Sequence, residues 1–397
     1  MKKLLIVTTT NPLNKYYYEK YISGIKKNNG WRVKFWNLLR IQNKKVYDEF
    51  TRKGNRIIKD KKNIIFKDYF SLKKEFDKLP KTFFYINDSV KFYKAIIIDR
   101  MLQIYGGKKI EWIVNGTLPL KISTKGKFNF LLKNGLTFTV KKISKFFFLL
   151  IDNFIKFKII LPKAKIYFVP NKFWYQDIAK REDGSKIRKI HDYEFEVFNK
   201  FAKQKRRKKF IVYLDSQMES SFENQMVRNS RPLHNKKKYW SKIENFLVFV
   251  NEQFGSEPII AGSPRRNMFD LPIKNKFFFD KTAELIKDSK LVIAHDTTAI
   301  HLAILFKKPI LFLTMDVFKK ELVRHNRIKQ FSQMTGCKMI NLDKFSYSKK
   351  NFRISEFLKI DKKKYDKFIY DRIKFENSKK IGKWDIIFKE LDKEKYF

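Results

Sequence analysis

Short apolar runs alternate with polar turns and amphipathic stretches along this chain, and the alternation sets in twice. Residues 4–7 are uninterruptedly apolar, as expected of a parallel strand covered on both faces. Residues 8–11 form its polar exit. A helix is expected over 16–27, ended by Asn28-Asn29-Gly30, and a second strand over 31–38. Such a β-α-β opening begins a doubly wound α/β domain. Residues 40–81 are charged and show no clear period. Strands are expected at 82–86, 110–114, 166–169 and 186–191. Between the first two, Asn87-Asp88-Ser89 starts a helix that Gly106-Gly107 stops.

The pattern restarts with a strand at 210–214, ending at Asp215-Ser216-Gln217. A helix over 239–254 follows, with Trp240, Ile243, Phe246, Leu247 and Val250 on one face and Gly255 as its stop. The strand at 258–261 runs into Gly262-Ser263-Pro264-Arg265-Arg266. A short strand is expected at 276–279, and Asp280 should cap the next helix.

The best organised stretch is 289–314. An apolar strand, 291–294, is halted by His295, Asp296, Thr297 and Thr298. Ala299, Leu302, Ala303 and Phe306 then recur at helical spacing, Lys307 and Lys308 suit the helix end, and Pro309 precedes a strand at 310–313. Polar groups thus stand at the carboxyl end of a strand and the amino end of a helix, where open α/β sheets bind ligands and amides attract phosphate. Capping by Asp296 and Thr297 beside a core His295 accounts for the same residues about as well. Four polar residues in succession between two apolar runs point to a site.

Downstream, a basic helix over 317–333, a strand at 338–342 and a charged tail with an apolar stripe of Trp384, Ile387, Phe388 and Leu391 complete the chain.

Composition changes this picture in two ways. The 397 residues suffice for two domains with full cores. The single Cys337 excludes an intramolecular disulfide framework and fits a reducing compartment, and no Cys/His cluster has zinc spacing. The formal charge of +49, from 89 Lys and Arg against 40 Asp and Glu, admits nucleic acid, an anionic membrane or compositional drift toward the residues of A/T-rich codons. Drift takes the largest share, because the charge is spread along the chain. No nucleic-acid module is recognisable, so no nucleic-acid partner is expected.

No run of 18 uncharged apolar residues predicts a transmembrane helix, and the start lacks a signal-peptide pattern. Residues 141–161 read either as an interfacial helix with snorkelling lysines or as a buried amphipathic helix. The expected location is the cytoplasm, with a peripheral place on the inner face of the membrane as the membrane variant of that reading.

Asp296-Thr297, then His301-Leu302-Ala303 and Pro309, resembles the donor-site turn of bacterial heptosyltransferases, which are GT-B glycosyltransferases. Thr298 stands where their pattern has Gly. The segment 211–314 resembles a broader group of bacterial surface-polysaccharide glycosyltransferases, and the threonine pair is similar to the Ser/Thr motif of bacterial sialyltransferases. Ser263 replaces the His of a His-Pro pair found in those proteins.

The resemblance implies an α/β fold of two Rossmann-like doubly wound domains facing a cleft. The acceptor domain would span 1–165, an interdomain connection 166–208, the nucleotide-sugar domain 209–345 and a helical tail 346–397, whose last helix crosses back onto the first domain. It implies transfer of a sugar from a nucleotide-sugar donor to a glycan or lipid-linked acceptor in capsule, O-antigen or lipopolysaccharide synthesis, with no cofactor and no metal. Arg265, His295, Asp296, Thr297, Thr298, His301, Thr282 and Glu284 are the expected donor-binding residues, and Asp215 and Asp88, both at strand exits, the candidate bases. A nucleotide-sugar epimerase of the same fold and a non-catalytic basic nucleic-acid-binding protein remain the alternatives. His191 is a weak further candidate, since a lone histidine is more often structural.

Overall fold

The computed structural model describes residues 3–11, 13–25, 30–51, 58–89, 93–113, 163–204, 210–219, 235–264, 266, 276–320, 322–348 and 352–394. Arg265, the stretch 141–161 and part of the strand expected at 110–114 lie outside them.

Two parallel sheets form the framework. The first joins β1 (Lys3–Thr9), β2 (Trp31–Asn37), β3 (Asn63–Ile65), β4 (Phe83–Asp88), β5 (Gly107–Trp112), β6 (Ile166–Val169) and β7 (Ile187–Lys189) in the order 3-2-1-4-5-6-7. The second joins β8 (Phe210–Leu214), β9 (Pro258–Ala261), β10 (Phe277–Phe278), β11 (Ser289–Ala294), β12 (Ile310–Thr314) and β13 (Met339–Asn341) in the order 10-9-8-11-12-13. Each is a doubly wound sheet. The strand order reverses between β1 and β4 in the first and between β8 and β11 in the second, and these reversals open the crevices that ligands use.

The apolar runs are continuous because each strand feeds two cores. In β1, Leu5 and Val7 join one cluster with Tyr17 and Tyr21 of α1 (Lys15–Tyr21), while Leu4 and Ile6 join the opposite one with Leu72, Phe76, Ile98 and Leu102. Helix α1 starts at Asn14, whose side chain accepts from the Tyr17 amide at 3.2 Å. Gly106 ends the helix Tyr93–Ile104 in a left-handed conformation (φ 91°), where a Cβ would strike the Lys81 carbonyl.

β6 pairs with β5 and β7 with β6, so the first sheet runs on through Lys189, past the boundary expected at 165. What passes between the domains is α2 (Tyr193–Phe201), capped by Asp192. In the second domain, α3 (Lys236–Phe254) lays Trp240, Ile243, Phe246, Leu247 and Val250 into the core, and left-handed Gly255 closes it. The stretch without a visible period, 40–81, contains the helices Lys44–Thr51 and Tyr69–Phe76 and the edge strand β3.

The tail ties both domains together. Tyr365, Phe368 and Ile369 of the helix Lys362–Arg372 belong to the second-domain core. Trp384, Ile387, Phe388 and Leu391 of the last helix, Lys383–Asp392, belong to the first. The Trp384 ring lies 5.5 Å from Trp112 and the Phe388 ring 5.4 Å from Trp31. Among the described residues no helix is long and apolar enough to cross a membrane.

Candidate functional site

The carboxyl ends of both sheets meet at one cleft of about 520 Å³. Asn11, Asp88 and Ser89 line it from the first sheet, Asp215, Ser263 and the turn Asp296–Thr297–Thr298 from the second. Thr282 and Glu284, at the start of α4 (Thr282–Asp288), also face it.

On the first-domain wall the strand exits carry a mainly neutral network. Thr9 and Asp88 stand side by side in the β1–β4 register. Thr8 Oγ1 donates to Asn87 Oδ1 at 2.8 Å, and Ser89 Oγ donates to Thr8 Oγ1 at 3.4 Å. Asp88 accepts a hydrogen bond from the Tyr21 hydroxyl. Burial first, and then the Asp88 carboxylate, raise the Tyr21 phenol well above its ordinary value, so it stays a proton donor.

On the second-domain wall charges are paired. Asp215 is buried and accepts four bonds: Oδ1 from the Gln217 amide at 2.9 Å and Arg266 Nη2 at 2.9 Å, Oδ2 from the Ser263 amide at 3.2 Å and Arg266 Nε at 2.5 Å. Arg266 also reaches Glu219 at 2.6 Å and lies 5.1 Å above the Trp240 ring. Burial opposes the guanidinium charge, but Asp215 and Glu219 hold its pKa above the ordinary value. All four acceptor positions of Asp215 are therefore taken. This carboxylate, expected as a candidate base, lines the cleft and holds Ser263 and Arg266 against the end of β8. Gly262 in the same turn is close-packed: a Cβ there would overlap the Phe279 ring. Across the cleft, Asn14 donates to the Pro264 carbonyl and links the turn to α1.

The turn after β11 differs from the expected helix cap. Helix α5 runs only from Ile300 to Leu305, and its N-cap is Ala299, with no side-chain cap bond. Thr297 Oγ1 accepts from the Ala299 amide at 3.4 Å, and the Thr298 carbonyl accepts from the His301 amide at 3.0 Å. Asp296 instead forms an ion pair with Arg327 at 2.8 Å. A six-residue helix carries little dipole, so the positive charge at this turn comes from Arg327, on α6 (Leu322–Thr335). Arg327 lies 31 residues beyond Asp296, on a helix whose sequence shows no clean amphipathic period. Only tertiary contact brings the two together.

Both histidines expected at the donor turn sit beneath the cleft rather than in its lining. His295 is fully buried, its Nδ1 2.6 Å from the Leu313 carbonyl and its ring among Tyr213, Tyr239 and Phe318. His301 is 4% exposed and holds Asp192 Oδ2 at 3.1 Å. Burial lowers the His301 pKa, although Glu194 pulls it upward. Direct donor contact by these rings thus gives way to support of the turn from below. His191 is structural: its ring bridges the carbonyls of Asp192 and Ile381, the latter at 2.7 Å.

Sequence reasoning placed 191–196 at the crossing between domains and did not see what collects there. Asp192, Glu194 and His301 bring a ligand-type atom each to within 4.8 Å of one another, all buried. Burial, with Asp192 adding to it, pushes the Glu194 carboxyl up to about 8, while His301 and Lys20 oppose the rise. Lys383, its Nζ 4.5 Å from the Trp112 and Tyr193 ring centroids, is lowered by burial to about 8 and feels Glu196, Glu194 and Asp192. Lys20 and Lys383, both buried, thus stand beside an Asp192–Glu194 carboxyl pair that shares a hydrogen bond.

No family model matches the chain, and no curated protein matches it. Among solved structures, one of the wall teichoic acid polymerase TagF aligns over 100% of this chain and 90% of its own at 10% identity, with a TM-score of 0.51. The spinosyn forosaminyltransferase SpnP aligns over 99% and 98% at 12% identity (TM-score 0.47), and the UDP-GlcNAc 2-epimerase of Methanocaldococcus jannaschii over 98% and 99% at 14% identity (TM-score 0.46). At these identities the likeness speaks to architecture alone, and with the two sheets described above it establishes two Rossmann-like domains facing a cleft, the GT-B fold.

Proposed function

We propose that the chain is a glycosyltransferase. It would take a sugar from a nucleotide-sugar donor seated on the second domain and pass it to a glycan or lipid-linked acceptor held against the first. The observation that carries this reading is the turn Asp296–Thr297–Thr298, which lies at the β8/β11 reversal, lines the interdomain cleft and is paired to Arg327. Thr297 and Thr298 offer hydroxyls to a donor phosphate and Asp296 a carboxylate to the sugar. Arg327 lies close enough to meet the charge that develops on the leaving nucleotide, which makes the transfer metal-independent in this reading. Thr282 and Glu284 border the same pocket, and Arg265, one residue from buried Arg266, is the remaining proposed phosphate contact. Asp88 and its Tyr21 partner would orient the acceptor hydroxyl.

The context we favour is surface-polysaccharide synthesis at an anionic membrane. The net charge of +49 supports it, since basic surfaces gather on anionic lipid. Salt-sensitive binding to anionic but not neutral liposomes is the expected result, and equal binding to both would remove the membrane from the account. The activity itself is tested by incubating the protein with nucleotide sugars, with and without extracted lipid-linked glycans. Nucleotide release with transfer of the sugar supports the reading. Interconversion of a nucleotide sugar with no acceptor present would instead identify an epimerase.

A further inference from the structure

Seven described carboxyl side chains line the cleft, and most of them already have partners. Asp215 holds Arg266, Asp296 holds Arg327, and Asp88 takes the Tyr21 hydroxyl. Glu194 is different. It stands in the first turn of α2, the helix that crosses between the domains, and it lines the cleft while only 6% of its surface is exposed. Its carboxyl lies within 4.8 Å of His301, and the His301 amide bonds the Thr298 carbonyl. One buried carboxyl thus lines the cleft beside a histidine whose amide bonds the proposed donor turn, on the helix that crosses between the domains.

Resting on the glycosyl-transfer reading, we infer that Glu194 is the catalytic residue that takes the proton from the attacking hydroxyl. The hydroxyl oxygen forms the new bond to the anomeric carbon. The bond from that carbon to the phosphate oxygen breaks, its electron pair leaves with the nucleotide, and the hydroxyl proton passes to the Glu194 carboxylate. Atoms and charge balance without a further reactant. A buried carboxylate is a stronger proton acceptor than an exposed one, because burial raises the energy of its charged form.

The surroundings tune it from every side. Asp192 and Tyr193 stand beside it on its own element, Tyr16 and Lys20 face it from α1, His301 from α5, and Lys383 from the terminal helix. Asp192 raises it; Lys20 and His301 lower it. Asp192 is accordingly a positioning residue, which acts through Glu194 and not on the substrate.

The test uses the full chain and the nucleotide sugar that gives the largest melting shift, with release of nucleotide to water as the readout, so that no acceptor is needed. Glu194→Gln should keep the melting shift and lose about 100-fold or more in release rate. The parent rate should rise with pH through about 8. Asp192→Asn, which can still cap α2, should move that rise to lower pH because the neighbouring negative charge is gone. A Glu194→Gln protein that releases nucleotide at the parental rate, or an Asp88→Asn protein that alone loses the activity, would overturn the assignment. If no nucleotide sugar shifts the parent, the glycosyl-transfer reading has failed, and this inference falls with it.

Discussion

The two walls of the cleft are built on the same scaffold and furnished with opposite chemistry. Both sheets reverse strand order at the same relative position, and both present an aspartate there, Asp88 at the end of β4 and Asp215 just after β8. On the first wall that aspartate accepts from the Tyr21 hydroxyl, beside a hydrogen-bonded network of Thr8, Asn87, Ser89 and Asn11. On the second it is locked by Arg266, with a further ion pair, Asp296–Arg327, one strand away. The neutral donors and acceptors at the first wall's strand exits suit a polyhydroxyl group, whereas guanidinium and hydroxyl groups together suit a phosphate. Fold placed the two sites face to face; the side chains at the strand exits divide the work between them.

The most severe way to break this contrast is to remove the arginine from the second wall. Arg266→Ala leaves Asp215 and Glu219, each 1% exposed, as uncompensated buried charges. It should cost about 3–5 kcal/mol in urea unfolding. A cost below about 1 kcal/mol would mean that the pair is wetter than described.

Next in size is the pH dependence of the hinge between the walls. The Glu194 carboxyl rises from 4.5 to about 8 on folding, so its favourable contribution is fully present below 4.5 and is lost as pH rises through about 8. Lys383 runs the other way: lowered from 10.5 to about 8, its contribution is present above 10.5 and is lost as pH falls through about 8. Glu194→Gln should therefore flatten the stability profile between pH 4.5 and 8 and gain roughly 1–3 kcal/mol over the parent near pH 8. Unfolding midpoints with the same pH slope in both proteins would show that this carboxyl is ordinary.

The smallest effect belongs to the first wall. Tyr21→Phe removes the hydrogen bond given to Asp88 and the one accepted from Asn11, both of which line the cleft and can recruit water, and should cost about 1–2 kcal/mol. It should also leave nucleotide binding untouched, which sharpens the division between the walls. A nucleotide-induced melting shift that disappears in this variant would mean that the donor reaches across the cleft.

Much of the scaffold was legible in the sequence, because strands covered on both faces announce themselves as apolar runs. β6, β8 and β9 fall on the expected residues, and β11 and β12 within two of them. The edge was not legible: β3 is three half-exposed or exposed residues, Asn63–Ile65, and the apolar run Ile64-Ile65-Phe66 is too short amid lysines to mark it. Of the cleft, the exits Asp88, Asp215 and Asp296–Thr298 could be read, since a polar turn after a strand and before a helix has few other places to go.

What could not be read were the partners. Arg266 meets an aspartate 51 residues earlier, Arg327 one 31 residues earlier, and His301 one 109 residues earlier. In a chain with 89 Lys and Arg, no local signal singles out Arg266 and Arg327 as the ones that pair with cleft aspartates. Glu194 stands in the sequence as one of two acidic residues after Asp192, and its burial depends on tertiary neighbours from α1, α5 and the terminal helix.

The central claim is that the second wall holds a nucleotide. The most direct measurement is the melting temperature of the protein across nucleoside mono- and diphosphates and nucleotide sugars at moderate salt, with Asp296→Ala, Thr298→Val and Asp88→Asn beside the parent. A ligand at about 100 times its Kd should stabilise the parent by about 2.7 kcal/mol. The account predicts a shift with one nucleotide base, lost in the first two variants and kept in Asp88→Asn. A folded parent that shifts with none of them, or a shift that survives Asp296→Ala and Thr298→Val, would contradict it.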